Sequence, residues 1–292
     1  MDKEQTEKEL LKPLNRKTKE FLRKLKRLFQ RASKDVLSKL TALFVKLDQI
    51  EEPTLADANR HGDLNRIKRE ITSLISDLSA KVKAMIIEFL EETYESSYSW
   101  LILGVLAALG IKLVQPKATL NQPNLPAEWA PKDVRQAIKS KQMDKAIETD
   151  RKKTIQQINK TIERGFIERK RFAQIAKELQ TDVGLSYSRS KRIANTEMHR
   201  TREKATLDAA KKAQSRGINM KKTWHNVGDE RVRETKHADH VHLKGQERMV
   251  NQLFDLGINK NGVHVTAEAP GQSGDPSNDI NCRCFATYEP VL

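Results

Sequence analysis

Five of the seven histidines (His225, His237, His240, His242 and His264) fall within forty residues, and a Cys-x-Cys pair, Cys282 and Cys284, follows them. Imidazole nitrogen and thiolate sulfur are the usual ligands of zinc, so His237 and His240 with Cys282 and Cys284 form one candidate metal set. His237 and His240 are three residues apart, which places them on one face if the segment is helical. Cys-x-Cys in an extended strand puts both sulfurs on one side, at a spacing less typical of structural zinc than Cys-x-x-Cys. The other reading is a metal-free polar cluster, in which case the protein has no cofactor. Asp229, Arg231 and Arg233 alternate on an expected turn, and beside a histidine they could handle a proton or a phosphate group. The same residue types also fix loops, because Arg–Asp pairs and histidine donors satisfy backbone groups where regular strands are few. Further upstream Glu197 shares a helix face with Ile193 and Arg200, which suits an internal salt bridge, with a catalytic acid as the alternative.

A second chemistry is electrostatic. Between Lys12 and Lys34 the chain carries ten cations and a single opposing carboxylate, Glu20. On a helix, Arg16, Lys17, Lys19, Arg23, Lys24, Lys26, Arg27 and Arg31 would stand opposite a leucine-rich stripe and could neutralise phosphates of double-stranded DNA without reading its sequence. A solvated face, or a dock for an acidic protein or lipid, would use the same residues. The whole chain, 292 residues with 54 basic against 39 acidic side chains, has a formal charge of +15 and fits an acidic partner.

The elements that must carry these groups are mostly helical. Leu14, Phe21, Leu25, Leu28, Ala32, Val36, Leu40, Leu43, Leu47 and Ile50 form one stripe that ends before Pro53, and Leu64, Ile67, Ile71, Leu74, Leu78, Val82, Met85 and Phe89 form a second. Two antiparallel helices would bury both, with Thr54 to Asp57 as a capping box in the connection. The apolar run from Trp100 to Ile111 is too short for a bilayer span, which needs about 20 residues, and predicts a separate helix packed on the pair without stable membrane insertion. Four of the nine prolines lie between Pro116 and Pro131 and mark a linker. Helices are expected from Val134 to a cap at Gly165, from Glu168 to Leu179, and from a cap at Ser186 or Ser188 to Gly217. Beyond Gly217, Met220 to Val227, His264 to Thr266 and Ile280 to Tyr288 are β-prone. The fold class is therefore mainly α: a helical region over 1–115, a proline-rich linker over 116–131, a helical middle over 132–217, and a small α+β module over 218–292. Two cysteines exclude a disulfide-stapled scaffold, and the first residues predict no secretory signal.

Arg192, Thr196-Glu197, Trp224, Asp229, Arg231, Arg233, a histidine, Gly245, Asp275-Pro276 and Asn281-Cys282-Arg283-Cys284 follow one another in an order that resembles the phage head morphogenesis family, the Mu F-like minor head proteins. The resemblance covers about Ala130 to Tyr288. His237 stands four residues after Arg233, whereas His240 stands five before Gly245, so either can fill the family's histidine position. The resemblance implies a structural protein of the virion, inside the head near the portal and in the host cytoplasm during assembly. Its implied partners are the portal protein, the scaffolding or major capsid protein, and packaged DNA. The alternative is an enzyme acting on nucleic acid, nuclease-like or an effector, through the carboxy-terminal module.

Overall fold

The computed structural model describes residues 3–47, 50, 53–111, 125–230 and 232–291, with side chains from residue 16 onward. Most of the proline-rich linker and Arg231 thus lie outside the described residues, as does the side chain of Leu14. The helices are α1 (Lys3–Lys46), α2 (Leu55–Arg60), α3 (Leu64–Ala108), α4 (Val134–Ile138), α5 (Lys141–Ile167) and α6 (Phe172–Gln214), with a short 3-10 turn at Ala127–Trp129 before α4. After them come β1 (Met220–His225), β2 (Glu234–Thr235), β3 (Ala238–Asp239), β4 (Glu247–Met249), β5 (Phe254–Ile258), β6 (His264–Ala267), α7 (Pro276–Asp279) and β7 (Phe285–Pro290). The architecture is mainly α with a small α+β carboxy-terminal module, as its patterning predicts. No helix among the described residues is long and apolar enough to cross a membrane. The chain makes two compact units, Met1–Ile86 with Ser140–Ile193 and Ile87–Lys139 with Ala194–Leu292. The segments expected from the sequence run in order along the chain, whereas the units interleave, because α3 and α6 each contribute to both.

In the first unit, Phe21, Leu25, Phe29, Val36, Leu40, Leu43 and Leu47 of the first stripe and Leu64, Ile67, Ile71, Ile75, Leu78, Val82 and Ile86 of the second are buried. The register differs from expectation in three places: Leu28, Leu74 and Met85 are half-buried, while their neighbours Phe29, Ile75 and Ile86 face inward. A helix of 3.6 residues per turn drifts against any fixed three-four spacing, so the buried position moves by one along a long helix. Lys39–Glu70 and Lys46–Asp63 set α1 antiparallel to α3, and Lys68–Glu163 and Lys83–Asp144 set α3 antiparallel to α5. Phe29 on Tyr187 and Phe44 on Phe172 set α1 against α6, so these segments form an up-down four-helix arrangement. Each fully buried leucine or isoleucine contributes about 1.5–3 kcal/mol. An exposed ion pair contributes about 0–1 kcal/mol, so the stripes hold the helices together and the pairs set direction. The connection caps as expected, since the Thr54 hydroxyl accepts from Asp57 N and the Asp57 carboxylate accepts from Thr54 N.

Three expected helix ends are corrected. Gly165 lies inside α5, where a Cβ would strike Ile175, and the helix ends two residues later, at Ile167, as Lys170 N returns to Gly165 O and Arg169 takes a left-handed φ of 51°. Ser186 and Ser188 are interior residues of α6 and cap nothing. Ser186 Oγ donates to Asp150 Oδ2 at 2.7 Å, and Ser188 Oγ donates to Gly184 O. The run from Trp100 is the end of α3 and not a separate helix, with Leu101, Ile102, Val105 and Leu106 buried. Serine and glycine signal helix ends only when tertiary partners do not claim them.

In the second unit a three-stranded antiparallel sheet has the order β4-β1-β7, and β2-β3 and β5-β6 form two further antiparallel pairs. The core beneath them is Trp224, Leu243, Phe254, Leu256, Val265, Ala267, Cys282 and Cys284. Alternation in β1 turns Met220, Lys222 and Trp224 inward, so a lysine enters the core with 0% exposure. Its Nζ donates to Glu268 O at 2.6 Å and lies 5.0 Å from the centre of the Phe254 ring. Burial lowers the Lys222 ammonium from 10.5 to about 8. Between those values the unfolded chain binds a proton that the folded chain does not, so this lysine makes stability rise with pH from about 8 to about 10.5, by up to about 3 kcal/mol. Urea titrations at pH 7.5, 9 and 10 should show that rise in the native chain and a flatter profile in Lys222→Met.

Candidate functional site

The carboxy-terminal motif residues are one interlocked network. Gly245, at φ 81°, turns the chain so that its N–H donates to Trp224 O, which fixes the loop entering β4. Arg233 donates to the carbonyls of Asn278, at 2.7 Å, and of Ile280, and its own carbonyl accepts from His240 N at 2.8 Å. Asp229 pairs with Arg283. Asp275 precedes α7, Pro276 opens it, and Asn278 Nδ2 donates to Asp275 Oδ2 at 2.7 Å. Asn281 takes the left-handed region at φ 56°, which reverses the chain into the two cysteines. In α6, Arg200 Nε donates to buried Glu197 at 2.8 Å, and another Arg200 nitrogen reaches Ile138 O at 3.0 Å. This is the internal salt bridge that the helix face predicts. Arg192 is exposed, and the Thr196 hydroxyl is buried without a hydrogen-bond partner among the described residues.

At the centre, His240 is 2% exposed, Cys282 7% and Cys284 1%. His240 Nδ1 lies 3.7 Å from Cys282 Sγ and 3.4 Å from Cys284 Sγ, and its Nε2 lies 3.0 Å from Asn278 Oδ1. The Trp224 ring packs edge-on against the imidazole, with centroids 6.0 Å apart. The hydrogen bond from Cys284 holds the Cys282 thiol well below its ordinary range despite its burial, with His199 and His240 assisting. The same contact with Cys282, reinforced by burial, pushes the Cys284 thiol up. Burial opposes a charge on His240, but the Cys282 sulfur outweighs it and raises the imidazole. A soft, anionic group of donors results, too enclosed for attack on a large substrate and suited to holding a cation.

His237 does not join this group. It is half-buried, at the turn between β2 and β3, with Nδ1 3.3 Å from Ile258 O. A hairpin, not a helix, carries the segment, so residues three apart do not share a face. Sequence reasoning missed two participants. Asn278 carries a polar side chain just after the Asp275-Pro276 start of α7, and His199 stands in the basic stretch of α6 beside Glu197.

The amino-terminal cations form the other candidate surface. Arg16, Lys19, Arg23, Lys24, Lys26, Arg27 and Arg31 are exposed on α1, and Lys17 is half-buried. The opposite side of the same turns is the buried stripe from Phe21 to Ala32.

Residues 156–287 match the family described as Phage Mu protein F like protein. Over 293 aligned residues, 99% of this chain and 88% of the other, the chain is 26% identical to minor head protein GP7 of Bacillus phage SPP1. It is also 29% identical over 226 residues to the NAD(+)-arginine ADP-ribosyltransferase EFV of Enterococcus faecalis (strain ATCC 700802 / V583), an alignment that takes in 76% of this chain and 42% of that enzyme. No solved structure matches the chain. The family match begins in α5 and ends in β7, so it contains the carboxy-terminal motif network and the Glu197–Arg200 pair. The match over residues 156–287 and the whole-chain similarity to a minor head protein together support a Mu F-like head morphogenesis protein.

Proposed function

We propose that the chain is a structural minor head protein of a tailed phage that docks at the portal vertex and holds double-stranded DNA through α1 during head assembly, packaging or ejection. The observation that carries the reading is α1 itself: its apolar stripe is committed to the fold, and seven cations on its remaining faces are exposed. Such a surface gives strong, sequence-independent phosphate contacts. The family match supports the head location, and the partners proposed with it are the portal protein, with the scaffolding or major capsid protein during assembly.

The engagement of the motif residues favours structure over turnover. Asp229 is paired with Arg283, Arg233 is spent on two carbonyls, and both His240 nitrogens have neighbours. Arg233→Ala should therefore lower the stability of the second unit by about 1–3 kcal/mol, because it strands two carbonyls.

The test is co-assembly with the portal and major capsid proteins of the same phage, followed by sedimentation of the particles. The chain is expected in portal-containing heads and absent from heads formed without portal. Equal exclusion from both kinds of head would overturn the docking.

A further inference from the structure

We propose that Cys282, Cys284, His240 and His199 hold one zinc ion inside the carboxy-terminal module. The first three offer ligand atoms that all lie within 4.8 Å of one another. Zinc bonds of about 2.3 Å to sulfur and about 2.0 Å to nitrogen, at tetrahedral angles, separate neighbouring ligand atoms by about 3.3–3.8 Å. The separations of His240 Nδ1 from the two sulfurs, 3.4 and 3.7 Å, are edges of that size.

The tautomer also fits. Asn278 uses its Nδ2 as donor to Asp275, so its Oδ1 faces His240 Nε2 and accepts a hydrogen bond from its N–H. The Nδ1 lone pair is left aimed at the sulfurs, and a carbonyl-type acceptor on the remote nitrogen is the usual support of a metal-bound histidine. His199 supplies an independent sign. It borders Cys282, and its Nε2 is buried with no hydrogen-bond partner among the described residues. An imidazole nitrogen buried beside a thiol cluster without a partner is costly unless something binds it. His199 stands outside the 4.8 Å group, so a turn of its ring toward Cys282 would bring it in as the fourth ligand of zinc.

The ion would tie α6 to the segment after β3 and to the strand entering β7, beside the buried cluster that holds Trp224, Leu243 and Phe254. Binding would release the thiol protons, and two thiolates would balance the ion's charge. The site stands apart from the DNA-holding reading, since it involves none of the α1 cations.

The experiment uses the untagged full chain, purified without chelator. Zinc is measured by mass spectrometry, and the metal is then exchanged for cobalt(II) and its absorption recorded. One zinc per chain is expected, with thiolate-to-cobalt charge transfer and the strong visible bands of a four-coordinate ion. Cys282→Ser with Cys284→Ser should abolish both. Because that variant can also unfold, His199→Asn is the companion: it should keep the native circular dichroism and lose zinc to a chelator at least about tenfold more readily. A native chain that holds no zinc after reconstitution and shows no cobalt bands overturns the site. Unchanged zinc retention in His199→Asn overturns the fourth ligand.

Discussion

Asp150→Ala is expected to cost the four-helix unit about 3–5 kcal/mol, seen as a large fall in the urea midpoint at unchanged slope. Asp150, 8% exposed, accepts from Ser186 Oγ at 2.7 Å and from Arg189 Nε. Arg189 also reaches Thr154 Oγ1 at 3.0 Å, so α5 and α6 are joined by a mostly buried ion pair with its hydrogen bonds made. Removing the carboxylate leaves a guanidinium in the helix interface without its counter-charge, and that desolvated cation is the source of the cost. Deleting both charges relieves it. Asp150→Ala with Arg189→Met should recover a large part of the loss, because a methionine of similar length fills the space without needing a partner. A single-variant loss under about 1 kcal/mol would show that water already screens the pair.

The helices were legible because buried residues recur at helical spacing over many turns, and a one-residue error of phase at Phe29, Ile75 or Ile86 does not hide the pattern. Their ends were not, because Gly165 and Ser186 are used by neighbouring helices, and Ser188 bonds back to Gly184 O within its own helix, in ways that local sequence reads as caps. Three of the strands were too short to show alternation, since β2 and β3 have two residues each and β4 three. The thiol pair and His240 stood out by residue type. Which histidine accompanies them was hidden, because it depends on a hairpin that turns His237 outward and on a helix residue some forty positions upstream. The ordered motif string has a physical reason that spacing does not reveal: Asp229 with Arg283, and Arg233 with the carbonyls of Asn278 and Ile280, close contacts between segments about fifty residues apart.

The proposed role of α1 is to hold duplex DNA by phosphate contacts. From Arg16 to Arg31 the helix covers about 22 Å, a length of duplex that carries about 13 phosphates, so its cations have phosphate partners in excess. Six or more contacts would weaken binding by about 10³-fold or more between 50 and 200 mM salt. Replacing Arg23, Lys24, Lys26, Arg27 and Arg31 together by glutamine keeps helix propensity and leaves the buried stripe untouched. The decisive measurement is the affinity of the full chain and of this variant for one random-sequence duplex over a salt series. The native chain is expected to give a steep log–log slope that becomes shallower by about 4 in the variant, with intact DNA throughout. Equal slopes in the two chains, or no binding by the native chain at 50 mM salt, would contradict it.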